Sequence, residues 1–224
     1  MKKVIVAIDG PSGAGKSTVG KLLAGELGYL YIDTGAMYRA IGLKAVREGI
    51  ELRESDALRG LCARTEVRLV QDSGGLKVYL DDEDVSEAIR TPEMGMTASA
   101  VSAQPCVRER LLQLQRNLGE GGGVVLEGRD IGTVVFPDAG VKFYLDANVE
   151  ERARRRWKEF NDKGIETDLQ KTIEDVAKRD YDDSHRDIAP LKKAPDAVVV
   201  DSSGLSINEV VALMKNKVLE VAGN

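Results

Sequence analysis

Histidine is nearly absent from this chain: His185 is the only one in 224 residues. A histidine-rich metal site is therefore excluded, and with it the two-histidine zinc helix. Cysteine is scarce as well. Cys62 and Cys106 lie far apart, form no CxxC pair and read as reduced thiols of a cytosolic chain. No stretch approaches the ~18 apolar residues of a membrane helix. Lys2 and Lys3 precede a short apolar run, Val4 to Ile8, but that run ends in Asp9-Gly10 and is too short for the core of a signal peptide. The expectation is a cytoplasmic protein with no membrane partner. A basic excess is missing too. Lys and Arg number 32 against 37 Asp and Glu, a net charge of −5 that argues against a nucleic-acid partner.

What remains is an ordinary soluble balance, 42% hydrophobic and 31% charged. The length suits one or two domains and buries roughly 70% of the unfolded surface without a disulfide or metal. The chain opens with VIVAIDG, PSGAGKS and TVGKLLAGELGY, which read as a buried strand, a glycine-rich loop and a helix stopped by Gly28. A second strand, Tyr29 to Asp33, leads into a helix capped by Asp33 or Thr34 and running to about Glu48. Residues 51–101 change character. Two alternating runs flank Asp72-Ser73-Gly74-Gly75 as an antiparallel hairpin. That block holds 11 acids and 6 bases, whereas the rest holds 26 of each, so it reads as an insertion carrying all the net charge.

A helix from about Val107 to Leu118 follows, then three Val-rich runs at Val124 to Gly128, Val141 to Asp146 and Ala197 to Ser202. Their apolar character predicts parallel strands buried on both faces. Helices open at Asn148, Thr167 and Ser206, each with Glu or Gln three residues on, as in a capping box. The alternation predicts an α/β fold, a five-stranded parallel sheet between two helical layers, with ligands at the carboxyl ends of the strands.

Gly10-Pro11-Ser12-Gly13-Ala14-Gly15-Lys16-Ser17 fits G-x-x-x-x-G-K-[ST], followed by Thr18. Its glycines turn successive N–H groups inward around phosphates, Lys16 places a charge on the β and γ oxygens, and the Ser17 hydroxyl is a Mg²⁺ ligand. The motif sits between a strand and a helix, as a triphosphate loop requires. Kinase, switch GTPase and mechanical ATPase remain open at this point. No guanine-reading N/T-K-x-D occurs, and the D-x-x-G matches at Asp72 and Asp201 read as a hairpin turn and a strand exit.

Other candidates cluster near the expected mouth. Thr34, Tyr38 and Arg39 follow the second strand, and Glu127-Gly128-Arg129-Asp130 leaves the third. Arg39 alone could equally be a solvated helix residue. Arg152, Arg154, Arg155, Arg156 and Lys158 are five bases in seven residues. They read either as a solvated face or as a lid over about 150–167 that clamps transferring phosphate; Arg152 and Arg156 are the named candidates, and which arginine acts stays open. Arg179, Asp183 and Arg186 recur at i, i+4 and i+7, on one face if the helix persists that far. They form a surface ion pair or a reader of an anionic ligand whose exocyclic amine meets the carboxylate. A phosphate acceptor is already an anion and needs no base, so His185 is incidental.

GPSGAGKST, IDTGAMYR, VRERLL, EGRDIGTVVFPDA, KFYLDA, RDYDDSHR and APLKKAPDAVVVDSS together resemble the bacterial cytidylate kinase family, almost from end to end. The resemblance implies one P-loop kinase domain over 1–224, in which 51–101 is a nucleoside-monophosphate-binding insertion. It implies that ATP and Mg²⁺ bind at Gly10 through Thr18. It further implies that Arg39, Arg129 and Arg108 hold the CMP or dCMP phosphate with Thr34 and Tyr38 nearby, and that Asp183, Arg179, Arg186 and Ser99 read the cytosine. Asp130 would orient the arginines or contact the sugar. The family often has serine at position 34, and Thr34 keeps the hydroxyl. The reaction implied is ATP plus CMP giving ADP plus CDP, and a monomer is expected.

Overall fold

The apolar β runs of the sequence assemble into one sheet because each is flanked by a helix long enough to cross back over it. The computed structural model describes residues 2–72 and 75–223. Strands β1 (Ile5–Asp9), β2 (Leu30–Asp33), β6 (Val124–Gly128), β7 (Val141–Asp146) and β8 (Val198–Asp201) form a parallel sheet in the order β2-β6-β1-β7-β8. A second sheet, β3 (Val67–Asp72), β4 (Gly75–Leu80) and β5 (Glu83–Asp84), is antiparallel. The hairpin is antiparallel as expected, with Asp72 opposite Gly75; Ser73 and Gly74 lie outside the described residues.

The helices are α1 (Lys16–Leu27), α2 (Thr34–Arg47), α3 (Asp56–Arg64), α4 (Pro92–Ser102), α5 (Pro105–Gly119), α6 (Val149–Asp162), α7 (Leu169–His185) and α8 (Ile207–Gly223). One buried cluster joins α1 and α8 to the sheet through Val19, Leu23, Val210 and Met214. Another joins α2, α3 and α5 to the small sheet through Ile41, Leu58, Leu61, Val78 and Leu111. The two free cysteines are buried within it, and burial followed by the Glu54 contact pushes the Cys106 thiol up to about 12. Among the described residues no helix is long and apolar enough to cross a membrane.

Three expectations are corrected. β8 is an edge strand, so Val199 is half exposed rather than buried on both faces. The cap of α7 is Asp168, whose carboxylate accepts from Lys171 N at 2.9 Å; the Thr167 carbonyl instead accepts from Trp157 Nε1. Finally, α7 stops at His185. Arg186 is its extended C-cap (φ −66, ψ 145), so it does not continue the helical face of Arg179 and Asp183.

Candidate active site

The loop between β1 and α1 is drawn tight against the sheet. Gly10 has φ +151, and a Cβ there would stand 2.0 Å from the Leu145 carbonyl oxygen, so only glycine passes. Gly13 and Gly15 also have positive φ. The N-cap of α1 is Gly15, with no side-chain cap, which leaves first-turn N–H groups and the positive helix end for an anion. Lys16 is buried, and its Nζ donates to the Pro11 carbonyl at 2.6 Å. Burial, then the nearby Arg129 charge, lowers its pKa to about 7.

A cavity of about 1150 Å³ opens in front of this loop, and besides Arg155 and Arg156 of α6 six arginines line it: Arg39 on α2, Arg90 on the 3₁₀ turn Ala88–Arg90, Arg108 on α5, Arg129 after β6, Arg179 on α7 and Arg186. Residues 12–18 of the loop line the same space, as do Thr34, Tyr38, Asp130 and Asp183. Three carboxylates organise the cations. Asp33, which caps α2 by accepting from Ala36 N, takes Arg39 and Arg90 at 2.9 Å each. Burial pushes its carboxyl up, but the two guanidiniums outweigh that and hold it far below the carboxylate range. Asp183 accepts from Ser99 Oγ and Arg129 Nε, both at 2.8 Å, with Arg179 at 3.9 Å and Arg186 at 4.0 Å. Asp130 pairs with Arg108 and, at 3.4 Å, with Arg186.

Positive charge is in excess within the cavity. Arg179 is lowered to about 9 by burial and then by Arg129, and Arg39 is lowered chiefly by burial. The Nε atoms of both are buried without a hydrogen-bond partner. Such crowding is relieved by a multiply charged anion between them.

The remaining candidates fall in different places. Tyr38 lies under the Arg108 guanidinium, 5.7 Å from ring centre to Cζ. Thr34 Oγ1 donates to the Glu127 carbonyl at 2.6 Å. Ser99 does not line the cavity, and its hydroxyl reaches it through Asp183. On α6, Arg156 lines the cavity, stacks over Phe160 and pairs with Glu159. Arg152 departs from the expected lid arginine: it is buried behind the loop, donating to the carbonyls of Ser12 and Ala147 and pairing with Asp180. His185 stacks on Tyr181, away from the cavity lining.

Sequence reading missed Arg90, Asp9 and Asp180, and it placed Glu127 at the mouth without giving it a role. Asp9 accepts from Ile131 N and Gly132 N at 2.8 Å each, fastening the loop that carries Arg129 to the end of β1. Burial raises its pKa to about 6 against those two bonds. Glu127 is buried beside the Ser17 hydroxyl and accepts from Tyr31. For Glu127 the available signal was a carboxylate at the end of a central strand; Arg90 carries no local signal, since its partner Asp33 is far away in sequence.

A family model for cytidylate kinase matches residues 6–220. A cytidylate kinase of Geobacter sulfurreducens is 56% identical over 217 residues, covering 97% of this chain and 93% of that protein. One from Enterococcus faecalis is 49% identical over 216 residues, 96% of each chain. Among solved structures, a gluconokinase from Sinorhizobium meliloti 1021 superposes with TM-score 0.51 at 14% identity, covering 99% of this chain and 95% of that one. Shikimate kinase from Acinetobacter baumannii gives 0.50 at 15%, covering 97% and 94%. At these identities the structural likeness is one of fold, and the sequence match supplies the family. The chain belongs to the cytidylate kinase family.

Proposed function

We propose that the cavity is the place where this kinase passes the γ-phosphoryl group of ATP to CMP or dCMP, giving ADP and CDP or dCDP. The observation that carries the reading is the single space lined on one side by the phosphate loop and on the other by six arginines organised by Asp33, Asp130 and Asp183.

Phosphoryl transfer asks a protein mainly for position and charge. The loop N–H groups, the α1 terminus and Lys16 hold the donor's β and γ oxygens. Arg39, Arg90 and Arg129 hold the CMP phosphate so that one of its oxygens meets the γ-phosphorus in line. Arg156 closes over the transferring group from α6. Arg108 and Arg186 are set by Asp130. Asp183, kept ionised at a pKa of about 2 because Arg129, Arg179 and Arg186 outweigh its burial, accepts from the exocyclic amine of cytosine. A uracil carbonyl at that point would face the carboxylate, so the same residue disfavours UMP. Ser99 aims the carboxylate, and no general base is required.

The Ser17 hydroxyl beside the buried Glu127 carboxyl offers hard oxygens that suit Mg²⁺. When bound with ATP, the ion neutralises charge on the β and γ oxygens. Segments 51–101 and 150–167 are those we assign to covering the acceptor and the donor.

The test is Asp183→Ala. The expected result is a KM for CMP raised about a hundredfold, the loss of one charged hydrogen bond and its orientation, with ATP binding retained. Unchanged CMP kinetics would remove the base-reading role.

A further inference from the structure

The phosphate loop has positive φ at Gly10, Gly13 and Gly15 and therefore little preference of its own for the phosphate-binding conformation. Something outside it must set the direction of its N–H groups. Ser12 supplies the point of attachment. Its N–H donates to Asp180 Oδ1 at 2.9 Å, and its carbonyl accepts from Arg152 Nη1 at 2.7 Å. Arg152 and Asp180 are themselves ion-paired, which closes a ring through both polar groups of one residue. A further bond from Arg152 Nε to the Ala147 carbonyl, at 2.8 Å, ties the ring to the end of β7. Gly13 lies flat on the same arginine, where a Cβ would come 2.7 Å from the Arg152 carbonyl oxygen.

Neither Asp180 nor Arg152 lines the cavity, and both side chains are largely buried, at 17% and 8% exposure. Three residues further along the same helix, Asp183 holds Arg129 and Ser99. One turn of α7 thus fastens the donor loop with one carboxylate and the acceptor side with the next.

We propose that Asp180 is a positioning residue that sets the phosphate loop for ATP through Ser12, with Arg152 as its partner. This rests on the reading of the loop as the donor site. Steady-state kinetics of Asp180→Asn, Arg152→Lys and the double variant, each checked by thermal melting, test it. Arg152→Lys keeps the charge but lacks the fork needed to reach Asp180, Ser12 and Ala147 together, and it reports on the ring if Asp180→Asn does not fold. The expected result is an ATP KM raised about tenfold or more with the CMP KM within about twofold, since small misplacement of a binding group is expensive. The double variant is expected to be no worse than the poorer single one, because the residues act as a unit. An unchanged ATP KM, an equal rise for both substrates or additive penalties would overturn the proposal. A native protein whose rate does not saturate with ATP would instead overturn the donor-site reading beneath it.

Discussion

Lys16 lines the cavity with a pKa lowered from 10.5 to about 7, first by burial and then by Arg129. A triphosphate brings several negative charges to that ammonium and restores its preference for the proton. The sign follows directly. Below about pH 7 the lysine is already charged in the free protein, so binding moves no proton on its account. Above pH 7 the free lysine is partly neutral, so ATP binding takes up protons and weakens as pH rises. Calorimetry at pH 8 in buffers of different ionisation enthalpy is expected to show net uptake, abolished in Lys16→Met. Proton release by the native protein would contradict it. At this scale the sequence was readable wherever chemistry is local. The loop glycines, Lys16, Ser17, the Asp33 cap and the Arg129-Asp130 pair follow from motif and position. Arg90, Asp9 and Asp180 do not. Each works on a partner 57, 122 or 168 residues away, and no local pattern encodes such a contact.

Among the elements, α4 decides how the acceptor side is built. It carries Ser99 and packs on α2, where Gly42 is the point of closest approach: a Cβ there would come 2.5 Å from Thr97 Cγ2. Gly42→Ala is expected to lower stability by about 1–3 kcal/mol and to raise the CMP KM, since overpacking pushes Ser99 and Asp183 from register. Adding Thr97→Ser removes the offending methyl and is expected to restore both. A double variant as unstable as Gly42→Ala would show that the contact is not the cause. The insertion is expected to mix antiparallel strands with helix, but the sequence does not mark where α3 and α4 run. The buried residues of α4, among them Gly95, Thr97, Ala98, Ser99, Val101 and Ser102, cover more than one face, so no helical stripe stands out. Its start was nevertheless marked by Thr91 and Pro92, a cap followed by proline in the first turn. By contrast, Ser206 and Glu209 form the capping box their spacing implied, with Glu209 Oε2 accepting from Ser206 N at 2.9 Å.

On the scale of the whole molecule, the net charge of −5 conceals a division. Acids prevail in 51–101, while arginines from distant parts of the chain converge on one cavity, so a protein acidic on balance presents a cationic mouth to anionic substrates. The parallel character of the large sheet was legible because its strands are apolar and separated by helices; its strand order and the exposed face of β8 were not, because both are properties of the assembled sheet. The most direct test of the account is ADP release from ATP by the native protein with a panel of nucleoside monophosphates. Turnover with CMP and dCMP well above that with UMP, AMP, GMP and dTMP is the expected result. Faster turnover with any of those four, or ATP hydrolysis independent of a monophosphate, would contradict it.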